Sequence, residues 1–114
     1  MEIVFADERL RDLCNGSGAL RRKYGTDGER KIRQRLDERR DAGSLAVVRT
    51  LPGPRCEELE LRADRKGQLS VRLHGGCRLI FAPEHHSPPV KPDGGLDWTA
   101  TTAIRILAIE DYHD

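Results

Sequence analysis

The chain has 114 residues, enough for one domain and too few for two of ordinary size. Hydrophobic residues make up 37% and charged residues 34%, with a formal net charge of +1, a balance that fits neither a disordered tail nor a globally basic nucleic-acid binder. The longest apolar runs, such as Leu79-Ile80-Phe81-Ala82, fall far short of a membrane span, and the opening Met1–Ala6 with its Glu2 is no secretory signal, so the cytoplasm is the expected compartment.

In chain order, Glu2-Ile3-Val4-Phe5-Ala6 predicts a first strand. Asp7 is placed to cap a helix whose first turn carries Glu8. Leu10, Leu13, Cys14 and Leu20 fall near one helical face, with Asn15-Gly16-Ser17-Gly18 as a weak point. Arg21-Arg22-Lys23 form a basic last turn, and Gly25 is expected to end it. A second helix is predicted from Asp27 to about Ala42. Its apolar face is thin, mainly Ile32 and Leu36. Arg30, Lys31, Arg33, Arg35, Arg39 and Arg40 make the rest basic, laced with Glu29, Asp37, Glu38 and Asp41. That face is expected to be solvated, or to meet an acidic partner or phosphates.

Leu45-Ala46-Val47-Val48 and Leu51 read as an apolar connector, and Pro52-Gly53-Pro54 as a turn. The period then changes to two. Leu59 and Leu61 alternate with Glu58, Glu60 and Arg62, and Leu69, Val71 and Leu73 alternate with Ser70, Arg72 and His74. Gly75-Gly76 is a hairpin signal before Cys77-Arg78-Leu79-Ile80-Phe81. Residues 83–98 form a long loop in which Trp98 is the expected packing anchor. Residues 101–109 predict an interior strand with Ile104, Ile106 and Ala108 on one side and Ala103, Leu107 and Ile109 on the other. The fold class is α+β: a small, mostly antiparallel sheet with two N-terminal helices on it, in the order β-α-α-β-β-β-β and as a single domain over 1–114.

Charge is unevenly placed. Residues 1–50 carry 12 Lys and Arg against 9 Asp and Glu, whereas residues 83–114 carry 2 against 6. Cys14, Cys56 and Cys77 have no CxxC spacing and read as small buried thiols. His85-His86, with Asp93 and Asp97 beyond, lacks the spacing of a formed metal site, so neither metal nor cofactor is expected.

Three groups carry chemistry. Asp111, Tyr112 and His113 follow directly on the last strand and combine an orienting carboxylate, a hydroxyl and an imidazole that titrates near neutrality. Arg78 lies within an apolar strand, on the face opposite Cys77, Leu79 and Phe81, where a guanidinium needs a partner or an anion. Arg62, Arg65 and Lys66 make a basic turn able to touch phosphates, and Arg72 adds a further cation on the next strand.

The order and spacing of Gly67-Gln68-Leu69-Ser70-Val71-Arg72-Leu73, Cys77-Arg78-Leu79-Ile80-Phe81 and Ile109-Glu110-Asp111-Tyr112-His113 resemble the HigB-like "killer protein" toxins of the RelE/ParE superfamily. Lys23-Tyr24-Gly25, Leu51-Pro52-Gly53 and Asp97-Trp98 look like the same branch. The resemblance implies a RelE-like fold and a metal-independent, ribosome-dependent endoribonuclease that cuts messenger RNA until neutralised by its antitoxin. It implies His113 as acid or base, Tyr112 as a positioning or proton-donating group beside Asp111, and Arg78 as the phosphate clamp. The implied partners are a cognate antitoxin, the ribosome and messenger RNA. No membrane is implied, and DNA is met only through the antitoxin. Where related toxins carry a His and then a Lys, this chain has Glu57-Glu58-Leu59-Glu60. A carboxylate there supplies no cation, which leaves two alternatives: a weakly catalytic or inactive member that binds an antitoxin as a partner or co-repressor, and a RelE/ParE-type protein that poisons another target such as a topoisomerase.

Overall fold

The computed structural model describes residues 1–16, 18–51 and 67–111, with the backbone of 56–58. Its elements are β1 (Glu2–Phe5), α1 (Glu8–Asn15), α2 (Ala19–Asp41), α3 (Leu45–Arg49), β2 (Cys56–Glu58), β3 (Leu69–Arg72), β4 (Cys77–Pro83) and β5 (Ala103–Asp111). The chain is α+β, with a mixed sheet ordered β1-β5-β4-β3-β2. β1 runs parallel to β5, and the other neighbours are antiparallel. No helix among the described residues is long and apolar enough to cross a membrane.

Asp7 caps α1 as its residue type predicts: its backbone is extended and its Oδ1 accepts the Leu10 amide at 2.8 Å. The expected weak point after Asn15 is real, since α1 ends there and Gly18 sits at φ 84° before α2. Gly25 ends the first helical stretch of α2 as expected: at φ 77° and ψ 174° it is non-helical, and a second stretch resumes beyond the kink. At the far end of α2, the Met1 amino group donates to the carbonyls of Arg39, Arg40 and Ala42, placing a cation where the helix dipole is negative.

The second half of α2 corrects the sequence expectation. Arg35 and Arg39, assigned to the solvated basic face, are only 3% and 1% exposed. The Ile32/Leu36 stripe is too narrow to cover the sheet, so the face that buries it also carries the two arginines inward. Arg35 Nη1 meets Glu38 Oε1 at 2.7 Å, and Arg39 Nη1 donates to the Arg35 carbonyl at 3.1 Å. The lacing of the outer face does occur: Arg30 pairs with Asp27, Arg40 with Asp37, and Arg33 with Glu29.

The apolar segment at 45–48, read from the sequence as a connector, is the start of the short helix α3. Leu45 and Val48, one turn apart, bury their side chains, and the Leu45 and Ala46 amides donate to the Thr101 and Trp98 carbonyls of the long loop. Trp98 is buried as expected, and the exposed Arg49 covers its ring with the guanidinium carbon 3.6 Å from the ring centre.

The core lies between the helices and one sheet face, built on Leu69, Val71, Leu79, Phe81, Ile104 and Ile106 against Leu20, Ile32, Leu36 and Leu45. β5 departs from simple alternation. Phe81 pairs with Ile106 but Ile80 pairs with Ala108, so Leu107 is the extra residue of a bulge. The bulge returns Ile109 to the face of Ile104 and Ile106, and moves Ala108 to the opposite face with Ile80. The two-sided grouping read from the sequence therefore holds only as far as Leu107.

Candidate functional site

The hairpin at Gly75-Gly76 forms as the sequence predicts, through a single turn of 3₁₀ helix at His74–Gly76. Gly75 and Gly76 take φ of 66° and 84°, which L side chains rarely adopt. The turn fixes the register that matters: Arg72 stands opposite Arg78, Arg78 opposite Glu110, and Cys77 opposite Asp111. Alternation puts Arg72, Arg78 and Glu110 on the face away from the core, while Cys77 and Asp111 share the helix side. Two of the singled-out residues, Arg78 and Arg72, are thus brought together, whereas Asp111 belongs to the other face.

Arg78 is held in place. Its Nη1 donates to Ser70 Oγ at 3.1 Å, and Ser70 is fully buried beside Ile80. Arg72 is exposed at the end of β3. Like charges directly opposite across a ladder repel, and an anion lying between them offsets that cost. An open recess of about 310 Å³ lies at this point, lined by Arg72, Leu73, Gly76, Cys77 and Arg78.

On the other side of the hairpin tip is a smaller recess of about 160 Å³, lined by Tyr24, Gly28, Ile32, Leu73, His74, Gly75 and Cys77. Tyr24 lies before the break at Gly25, and Gly28 and Ile32 lie one turn apart after it. The break brings Tyr24 so close that a Cβ on Gly28 would sit 2.7 Å from the Tyr24 Cβ, so glycine is required there. The Lys23 ammonium lies 5.6 Å from the centre of the Tyr24 ring. Sequence reading missed this recess. No simple spacing marks it, because the helix is broken at Gly25 between Tyr24 and Gly28.

The electrostatics assign roles by exclusion. Burial raises the Cys77 thiol above its ordinary pKa, and the Asp111 carboxylate adds to the effect, so the thiol is neutral near pH 7 and is no nucleophile. The Tyr24 hydroxyl is also raised, first by burial and then by the nearby thiols of Cys77 and Cys14. His85 serves the long loop, its Nε2 accepting the Thr102 amide at 3.2 Å. Among the described groups, those suited to meeting a phosphate at this end of the sheet are Arg72, Arg78, Lys23 and His74. Tyr112, His113, Arg62, Arg65 and Lys66 lie outside the described residues. Comparison with protein-family models, curated proteins and solved structures returns no match for this chain.

Proposed function

We propose that the chain is the toxin of a toxin–antitoxin pair, a metal-independent endoribonuclease of RelE-like fold that cuts messenger RNA on the ribosome. The observation that carries this reading is the opposition of Arg72 and Arg78 on the sheet face away from the core, at the end of β5 from which the chain continues into Tyr112 and His113. A parallel β1–β5 pair at one edge and an antiparallel run through β4, β3 and β2, with helices on one face only, supports the RelE-like comparison.

The chemistry needs four parts. The ribose 2′-hydroxyl loses its proton to a base and attacks the adjacent phosphorus. The phosphorane charge is held by cations. The bond to the 5′-oxygen breaks, leaving a 2′,3′-cyclic phosphate, and an acid protonates the leaving oxygen. Arg78, anchored by Ser70, and Arg72 supply the cations. His113 is the proposed proton-transfer group, with Tyr112 positioning the strand. The basic turn Arg62, Arg65 and Lys66 is proposed to track the RNA backbone.

Inducible expression with primer extension on total messenger RNA tests the reading. Growth arrest with new cuts inside translated frames is expected, and both are lost in Arg78→Ala and His113→Ala. Soluble expression with neither arrest nor cuts overturns it in favour of a second reading, an inactive binding partner of the antitoxin. One observation favours that second reading: Glu110 stands opposite Arg78, so a carboxylate-bearing position flanks the arginine on its own face.

A further inference from the structure

The two recesses flank the hairpin tip, with Leu73 and Cys77 in the walls of both. One carries the guanidinium pair Arg72 and Arg78. The other is a hollow walled by the Tyr24 ring, Ile32 and Leu73, with the Lys23 ammonium over the tyrosine and the exposed His74 at its rim. At about 160 Å³ the hollow is well below the roughly 300–1,000 Å³ of pockets that take drug-sized ligands. It suits a single planar ring system.

Resting on the reading of the chain as an RNA nuclease, we propose that the two recesses together form a track for single-stranded RNA, in which one base enters the Tyr24 recess while a neighbouring phosphate lies on Arg72 and Arg78. The charges fit a polyanion. Lys23, Arg72 and Arg78 are basic side chains, set against the carboxylates of Glu110 on the arginine face and Asp111 beside Cys77. Single-stranded nucleic acid is held by this combination of a basic groove with an aromatic wall on which a base stacks. Arginine gives the forked donor set that a phosphate accepts, and the tip glycines let the backbone of the strand pass close to the turn. The Tyr24 hydroxyl, whose pKa burial raises further, is available as a hydrogen-bond donor to a base edge.

The test is fluorescence anisotropy with the full chain and two short labelled strands of equal length and phosphate count. One is 2′-O-methyl oligoadenylate, which lacks the attacking hydroxyl. The other is its abasic counterpart. The intact strand is expected to bind about tenfold more tightly than the abasic one, the scale of one base–aromatic stack. Tyr24→Leu removes that advantage, Tyr24→Phe keeps most of it, and Lys23→Glu, at an exposed position, weakens both strands. Equal binding of the two strands by the wild-type chain, with Arg72→Ala weakening both, overturns the base recess and leaves the phosphate site standing. Failure of the wild-type chain to bind either strand overturns the track, while the nuclease reading, which acts on the ribosome, stands or falls on the growth-arrest and primer-extension result. Because the comparison of strands uses the wild-type chain, a variant that fails to fold does not remove the test.

Discussion

The Arg39 guanidinium lies over the Phe81 ring, 5.1 Å from its centre, in the interior between α2 and the sheet. Both side chains are essentially inaccessible, at 1% and 0% exposure. A charge there is tolerated because the ring face and the Arg35 carbonyl receive it. Arg39→Glu places an anion against the same groups and is expected to cost on the order of 3–5 kcal/mol, lowering the urea midpoint sharply or preventing folding. Arg30→Glu on the exposed outer face changes stability by about 0.5 kcal/mol. Equal midpoints for the two variants would refute the buried placement. A partner that reads the basic helix must therefore use its outer face.

That relationship shows where sequence reading reached its limit. The Asp7 cap, the break after Asn15, the Gly75-Gly76 hairpin and the anchoring role of Trp98 were legible because each depends on local backbone chemistry or on a residue with one strong preference. Arg35 and Arg39 were not legible, because helix periodicity marks which residues share a face and not which face a thin apolar stripe will carry inward. The bulge at Leu107 was hidden for a similar reason: alternation assumes an unbroken ladder, and Ala103, Leu107 and Ile109 are apolar enough to suit either side. Of the candidate site, Arg78 was found because it is a charge inside an apolar strand. The Tyr24 recess went unseen because it joins α2 to a hairpin about 50 residues away in sequence, and only the fold brings them together.

Trp98 fastens the long loop to α3, since its carbonyl caps Ala46 and its ring lies beneath Arg49. Trp98→Ala is expected to cost about 3–5 kcal/mol through the cavity it leaves. Arg49→Ala costs about 0.5–1 kcal/mol, the scale of an exposed cation–π contact. Because the chain has a single tryptophan, its fluorescence reports directly on this stack. Arg49→Ala uncovers the indole and shifts native emission to longer wavelength while unfolding stays cooperative. An unchanged spectrum would show that Arg49 does not cover the ring in solution.

Cys14 is buried in the core, and its pKa is pushed up to about 11 from 9.0, by burial first, with the Arg33 charge partly opposing. The thiol is neutral below both values, so its contribution to stability is fully present below pH 9. Above pH 9 the unfolded chain releases the proton before the folded chain does, and stability falls as pH rises toward 11. Urea midpoints measured from pH 8 to 11 are expected to decline. In Cys14→Ala the decline is shallower, after allowing for the lower starting stability of a variant with a lost side chain. Equal slopes in the two proteins would place the alkaline titration elsewhere. The same burial predicts that Cys77, half exposed and with its own pKa raised, reacts faster with maleimide than Cys14 at every pH.

Ser70 and Arg78 give the sharpest test of the proposed phosphate clamp. The planar Arg78 guanidinium carries donors on more than one edge, so one can remain on Ser70 Oγ while others meet an oxyanion. Arg78→Lys keeps the charge but offers no rigid fork, and it is expected to retain RNA affinity within a fewfold while lowering the cleavage rate by more than tenfold. Ser70→Ala leaves the guanidinium charged but unanchored, so a smaller fall in rate with little change in affinity is expected. Arg72→Ala, at the exposed rim, instead weakens binding and reduces the slope of log affinity against log salt by about 1, the signature of one lost phosphate contact. Rate constants from single-turnover cleavage, set beside affinities across a salt series, separate the three. If Arg78→Lys and Arg72→Ala changed rate and affinity in the same proportion, Arg78 would be one more backbone contact, and the clamp would have to be sought elsewhere on the sheet face.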